Sequence, residues 1–331
     1  MSPSPRLTVA VAHQSIGDEP YVLDLVGDRA DVKFGPLTTD DEAAALTEGA
    51  DAVFVTLQPL PASRIAALAP TVRVIGRAGV GLDTIDLEAA AARKVAVVHE
   101  PTYATAEVAN HAAALMLSVK RRIPEASRLM ENGWGIVTAI GSVPDLALET
   151  VGVIGFGAIG RAFAARMAPF FGEVRIYDPV ASADDIRAAG YVPAESLDEL
   201  LAASNAISLH VPLLPQTRGL IGARELALLP DGAVVVNVSR GGLIDERALA
   251  EALAAGHLGG AGIDVFEKEP LPDDSPLRAA PRLTMTPHVA WFSDGASDRM
   301  SGWTVDDVFS VLEGRPIRHG RLDVGADWLG R

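Results

Sequence analysis

The sequence predicts an α/β protein built on doubly wound parallel sheets. Three observations carry this. Short apolar, β-branched runs alternate with Ala- and Leu-rich helical segments through most of the 331 residues. One such run, Val151–Ile154, leads directly into Gly155-Phe156-Gly157-Ala158-Ile159-Gly160, a G-x-G-x-x-G pattern. A later run, Glu173–Tyr177, stops at Asp178, eighteen residues past the last of those glycines.

Taken in order, strands are expected at Leu7–Ala12, Val32–Phe34, Ala52–Thr56, Val72–Gly76 and Val95–His99. Helices are expected between them at Glu19–Leu25, Thr39–Thr47 behind a Thr/Asp cap, Pro61–Leu68 with Pro in the first turn, and Leu87–Arg93. The loop Arg77–Asp83 follows the fourth strand, and its Gly79-Val80-Gly81 run can turn backbone N–H groups toward an anion or simply make a tight turn. Glu100–Tyr103 reads as a crossover. Helices follow at Ala104–Arg121 and Pro124–Trp134, then a mixed loop over Gly135–Leu148.

The second half opens on the strand at Val151, with helix formers from Arg161 to Ala168. Helices are expected at Ala183–Ala189, Ser196–Ala202, Ala223–Leu228 and Asp245–Ala255. Strands are expected at Ala206–Leu209, Ala233–Val238, Gly260–Val265 and Leu283–Thr286. A last helix covers Ser293–Glu313, and the tail from Arg315 reads as an extension packed loosely or on the first domain.

The glycine pattern has a physical reading. Gly155 permits the strand-to-helix turn, Gly157 lets a pyrophosphate approach the backbone, and Gly160 lets helix and sheet close up. The helix N-terminus offers N–H groups and a positive dipole end to phosphates. The Asp178 carboxylate suits two ribose hydroxyls and repels a 2′-phosphate, and Pro179 and Val180 add no cation, so NAD is favoured over NADP.

Bulk properties narrow the partners. The net charge of −15 opposes nucleic acid and anionic membranes. No apolar run is long enough to span a bilayer, and Met1–Arg6 lacks the pattern of a signal peptide, so a cytoplasmic protein is expected. With no cysteine there is no disulfide or thiolate chemistry, and no His/Asp/Glu spacing suggests a metal.

Three ionisable residues stand at strand ends in the second half: Arg240, Glu269 and His288. Each alone reads equally as a surface, loop or packing residue. Together they match what reduction of a 2-keto acid requires. An Arg fork grips a carboxylate, an imidazole gives a proton near neutrality, and a carboxylate beside the imidazole favours its charged form. His210, with Val211 and Pro212, ends another strand and reads as a wall of the cofactor pocket. His13, His99, His111, His257 and His319 lack comparable company.

The segments Gly76–Asp86, Gly155–Gly160, Asn237–Asp245, Gly262–Pro270 and Thr286–His288 together resemble the NAD-dependent D-isomer-specific 2-hydroxyacid dehydrogenases over roughly Val53–Gly314. Trp291 and its neighbours are most similar to the C-terminal-binding-protein-like branch. The resemblance implies two Rossmann-like doubly wound parallel-sheet domains, the first discontinuous: residues 1–100 plus 290–331 for substrate, and 101–289 for NAD. It implies that Arg240 binds substrate, that His288 is the acid/base, and that Glu269 pairs with it. It implies that Arg77 and the Val80 and Gly81 amides hold the substrate carboxylate, and that Trp291 lines the pocket. Around the cofactor it implies Val108, Gly155, Gly157, Ala158, Ile159, Gly160, Arg161, Asp178, His210, Val211, Pro212, Thr217, Val238, Ser239 and Asp264, with Arg240 and His288 at the reacting end. A homodimer through the cofactor domain is also implied. Ser239, where Ala is usual, and Ala106-Glu107-Val108-Ala109-Asn110-His111 depart from the pattern.

The expected activity is therefore reversible reduction of a small 2-keto acid to a D-2-hydroxy acid, with hydride from NADH and the proton from His288. Two alternatives use the same residues. One is an NADH-sensing, protein-binding module, suggested by the Trp291 segment. The other is oxidation of phosphite by NAD.

Overall fold

The computed structural model describes residues 6–13, 15–131 and 133–324. Met1–Pro5, Gln14, Asn132 and the tail from Gly325 lie outside the described residues, and with them parts of the expected N-terminus, of the helix to Trp134 and of the terminal extension. The chain divides into two compact units, Met1–Ala104 with Ser293–Arg331, and Thr105–Phe292. The divisions fall where a helix starts at Thr105 and where Ser293 caps another by accepting the Ala296 N–H at 3.0 Å.

The first unit runs β1 (Leu7–Ala12), α1 (Glu19–Val26), β2 (Ala30–Gly35), α2 (Asp40–Thr47), β3 (Ala52–Val55), α3 (Ala62–Ala67), β4 (Val74–Arg77), α4 (Leu87–Ala92) and β5 (Ala96–His99). The second adds α5 (Thr105–Lys120), α6 (Ile123–Glu131), β6 (Thr150–Ile154), α7 (Ala158–Met167), β7 (Glu173–Tyr177), α8 (Ala183–Ala188), β8 (Val192–Pro193), α9 (Leu197–Ala203), β9 (Ala206–Leu209), α10 (Ala223–Leu228), β10 (Ala233–Asn237), α11 (Glu246–Ala254), β11 (Leu258–Ile263) and β12 (Leu283–Met285). The chain then returns to the first unit with α12 (Asp294–Leu312) and β13 (Arg321–Val324).

In the first unit the strand order is β13-β5-β4-β3-β1-β2, parallel except for β13. β3, β4 and β5 are buried throughout, as expected of strands with both faces covered. The core there gathers residues such as Val53, Ile75, Ile65 and Val97. β13 decides between the two readings of the tail in favour of packing on the first unit: Arg321 pairs with His99 and Leu322 with Val98.

In the second unit the order is β12-β11-β10-β9-β6-β7-β8, all parallel. The order reverses between β6 and β9, so a crevice opens there beyond the carboxyl ends. Ladder register aligns Ile154 with both Tyr177 and Leu209, Leu209 with Asn237, Asn237 with Ile263, and Ile263 with Met285. The residues following these partners, from Gly155 and Asp178 to Thr286, therefore share one sheet edge.

Two further boundaries differ from expectation. The cofactor-side helix starts at Ala158, because Gly157 takes the extended conformation of an N-cap (φ −72°, ψ −166°). β11 starts at Leu258, because Gly259 and Gly260 pack where a Cβ would strike Gly232 O and Val119.

Candidate active site

The glycine turn comes first at this edge. Gly155 has φ +98°, and a Cβ there would lie 2.5 Å from the His210 carbonyl oxygen. A Cβ on Gly160 would lie 2.0 Å from the Gly155 carbonyl oxygen, so this glycine is what closes helix onto strand. Around Gly157 the Cβ direction is open, with no atom of the described residues within 4 Å. No side chain among the described residues caps α7. Its N–H groups are thus left to a ligand, as an anion site requires.

Asp178 stands beside this turn and accepts N–H groups from Phe156 (2.6 Å), Val180 (2.7 Å) and Ala181 (2.9 Å). Burial opposes its charge, but these three donors and nearby Arg161 outweigh it and hold the carboxyl below the usual range. The Arg161 guanidinium lies over the Phe156 ring at 3.9 Å. Ala158 is exposed and Ile159 half-buried at the helix start.

His210 forms the other side of the crevice. Its Nε2 is 2.9 Å from Ser208 Oγ, its ring packs on Phe163 at 4.8 Å, and its Nδ1 is buried with no partner among the described residues. Burial pushes its pKa down to about 3, so the ring is neutral. Thr217 Oγ1 donates to Pro212 O at 2.7 Å and fixes the turn after Val211. Val108 is buried near the start of α5. A glycine turn open to an anion, a carboxylate at the end of the next strand and an orphaned imidazole nitrogen fit a bound dinucleotide.

The second group of residues lies along β10 to β12. Asn237 organises the Arg240 turn: its Nδ2 donates to Arg240 O at 2.8 Å and its Oδ1 accepts from Ser239 N at 3.0 Å. Ser239 Oγ donates to Leu209 O at 2.7 Å, which gives the unusual serine a structural task beside buried Val238. Arg240 Nη1 donates to Ser239 O at 2.8 Å. A Cβ on Gly241 would lie 1.9 Å from the Phe266 carbonyl carbon, so this turn presses against the loop bearing Glu269.

Glu269 Oε2 lies 2.7 Å from His288 Nδ1, and Glu269 Oε1 accepts the Phe266 N–H at 3.0 Å. Burial raises the pKa of the Glu269 carboxyl, but His288, the Phe266 N–H and the charge of Arg240 outweigh it and hold the group below the usual range. The structure therefore brings Arg240, Glu269 and His288 together. Trp291 Nε1 donates to His288 O at 3.1 Å, and its ring meets Phe292 edge-on at 5.5 Å.

His288 has φ +54°, a conformation that costs a non-glycine residue about 1–2 kcal/mol. Asp264 holds it there. This residue is fully buried, and its carboxylate accepts from Thr286 Oγ1 (2.5 Å), Val289 N (2.9 Å) and Ala290 N (2.9 Å). Its carbonyl oxygen accepts the His288 N–H at 2.8 Å. The resemblance implies Asp264 at the cofactor; in the structure its carboxylate ties down the His288 turn.

Two neighbours join this turn through the fold. Thr286 buttresses Asp264, and His111 Nε2, on α5, is 3.0 Å from Thr286 Oγ1. Only the tertiary fold joins them, which corrects the view of His111 as isolated. In the first unit, Arg77 is buried with Nη1 donating to Ala78 O at 2.7 Å, at the head of the loop carrying Val80 and Gly81. No group of His and acidic residues suited to a metal ion occurs among the described residues.

Residues 113–290 match the family model for the NAD binding domain of D-isomer specific 2-hydroxyacid dehydrogenases. The chain is 37% identical over 298 residues to the (S)-sulfolactate dehydrogenase of Chromohalobacter salexigens, covering 89% of this chain and 96% of that protein. It is 38% identical over 296 residues to the D-3-phosphoglycerate dehydrogenase of Mycobacterium tuberculosis, covering 89% of this chain but only 55% of that one. The chain thus spans about half the length of the phosphoglycerate dehydrogenases it matches. Among solved structures, the TT0316 protein of Thermus thermophilus superposes with a TM-score of 0.84 at 33% identity, covering 95% of this chain and 99% of that one.

Proposed function

Because this chain belongs to the D-isomer specific 2-hydroxyacid dehydrogenase family, we propose that it catalyses the reversible reduction of a small 2-keto acid to a D-2-hydroxy acid. NAD, when bound, supplies or takes up the hydride. The observation that carries the proposal is the 2.7 Å contact between His288 and Glu269 on the sheet edge that also bears the glycine turn.

In this reading Glu269 holds the His288 ring through Nδ1, leaving Nε2 to give a proton to the developing alkoxide. Arg240 binds and polarises the substrate with a planar fork. Arg77 and the Val80 and Gly81 amides take the substrate carboxylate, and Trp291 offers an apolar wall. Gly155, Gly157, Ala158, Ile159, Gly160 and Arg161 hold the pyrophosphate, and Asp178 the adenosine ribose. Val108, His210, Val211, Pro212, Thr217, Val238, Ser239 and Asp264 line the rest of the cofactor site, and Asp264 also holds the His288 turn. Residues 1–100 with 290–331 serve substrate, and 101–289 serve NAD.

The reading extends to assembly and location. Exposed Ile123, Met130, Trp134, Ile136 and Leu148 form an apolar series along and after α6, which supports a homodimer through the cofactor unit. No described helix is long and apolar enough to cross a membrane, and the net charge is −15; these support a cytoplasmic enzyme without nucleic-acid or membrane partners. The relatives named for phosphoglycerate and sulfolactate make small 2-hydroxy acids the first compounds to test.

The test is a panel of 2-keto acids and their D-hydroxy acids, run with NADH and NADPH in parallel and repeated with His288→Ala. The proposal expects NADH oxidation with at least one keto acid and turnover lower by orders of magnitude in the variant, with NADH binding retained. Near-normal turnover in His288→Ala would sink the assignment.

A further inference from the structure

The loop after β4 is shaped from two sides, both within the first unit. On one side Arg77 folds under it: Gly79 has φ +129°, and a Cβ there would lie 1.6 Å from Arg77 Nη1. On the other side stands His99, the last residue of β5, paired in register with Arg77 across the sheet. His99 Nδ1 is 2.7 Å from the Val80 carbonyl oxygen. That carbonyl and the Gly81 N–H belong to one rigid peptide plane, so whatever holds the first aims the second.

The His99 ring is itself held. It is 7% exposed, and its Nε2 lies 2.8 Å from Asp323 Oδ2 on β13, a close contact that misses the alignment of a hydrogen bond. A carbonyl can only accept, so Nδ1 is the nitrogen that donates to Val80. Burial opposes the Asp323 charge, but His99, and then Arg321, outweigh it and keep the carboxyl below the usual range.

β13 is pinned in turn. Asp307 of α12, fully buried, accepts the N–H groups of Arg318 (2.7 Å), His319 (3.0 Å) and Gly320 (2.6 Å). A Cβ on Gly320 would lie 2.3 Å from the His99 carbonyl oxygen, so glycine lets the strand approach.

We infer that His99, backed by Asp323 of the last strand, is a positioning residue that aims the Val80–Gly81 peptide at the substrate carboxylate. The inference rests on the proposed assignment of that carboxylate to the loop amides. It gives the C-terminal strand a part in substrate binding through the chain Asp323, His99, Val80.

The experiment uses the full chain with His99→Ala, His99→Asn and Asp323→Asn. Asparagine can still donate to a carbonyl; alanine cannot. His99→Ala should raise the KM for the best 2-keto acid about ten-fold or more, with kcat and the KM for NADH within about two-fold. His99→Asn should restore most of the loss, and Asp323→Asn should raise the KM about three-fold at unchanged kcat. Hydrogen exchange of the Glu100 amide, which donates to Gly79 O at 3.1 Å, should quicken in His99→Ala. An unchanged KM in both His99→Ala and Asp323→Asn overturns the inference. So does a loss spread over kcat and KM alike that asparagine does not rescue. If the wild-type chain reduces no 2-keto acid, the carboxylate assignment itself fails. The exchange rate then decides whether His99 orders the loop, and an unchanged rate ends that idea too.

Discussion

Glu269 Oε2 and His288 Nδ1 stand 2.7 Å apart, and the remaining oxygen of Glu269 is tied to the Phe266 N–H. The carboxylate is thus fixed before it meets the ring. Glu269→Gln keeps the shape and removes the charge facing His288. The kcat for reduction should then fall about ten-fold or more, with the KM for NADH within about two-fold. The kcat is measured with the best keto acid at saturating NADH. An unchanged kcat would show that Glu269 does not hold the proton donor.

Gly157 and Gly160 separate binding from folding. At Gly160 an added Cβ meets the Gly155 carbonyl, a backbone atom that cannot yield, so Gly160→Ala should cost about 1–3 kcal/mol and lower Tm. At Gly157 the same methyl meets no described atom. Gly157→Ala should leave Tm within about 2 °C but weaken NADH binding about ten-fold or more, read by fluorescence titration. Equal affinity in that variant would mean the phosphates bind elsewhere.

How far the sequence could be read follows from the range of each signal. The glycine turn, Asp178 and the strand ends at Arg240 and His288 each carry a local signature, and parallel register then brings them to one edge. His99 and Asp323 carry none. β13 is four residues, Arg321-Leu322-Asp323-Val324, too short for its alternation to stand out from a polar tail. His111 lies in a helix rich in alanine, and Thr286 is distant in sequence, so their contact exists only once α5 packs beside β11 and β12. Asp264 sits at a strand end like the others, and only the folded chain shows its carboxylate holding the turn beneath His288.

Glu100 supplies a pH test independent of catalysis. It is fully buried, neither oxygen has a hydrogen-bond partner among the described residues, and burial, then Asp307, raises its pKa to about 8. The unfolded group titrates near pH 4.3. Between that pH and 8 the folded chain binds the extra proton, so stability falls as pH rises, by at most about 1.4 kcal/mol per unit from this group. Glu100→Gln removes the titration. Its Tm should decline less than the wild type's between about pH 5 and pH 8. Parallel curves over that range would mean Glu100 titrates normally.

Asp264 decides whether the His288 turn is held or merely adjacent. Its two oxygens serve the Val289 and Ala290 N–H groups and the Thr286 hydroxyl, and its own carbonyl takes the His288 N–H. His288 occupies a left-handed conformation that it would leave without such ties. Asp264→Ala strips the side-chain acceptors and leaves two N–H groups short, at about 1–3 kcal/mol each where they stay buried. Asp264→Asn keeps one acceptor oxygen and should lose less. Both should lower kcat more than the KM for NADH, in the order Ala below Asn, while Thr286→Val, which removes one tie of three, should lie nearest wild type. Stopped-flow hydride transfer with denaturation curves for the three variants checks the order. If stability falls in that order while the transfer rate stays constant, Asp264 holds the fold but not the acid.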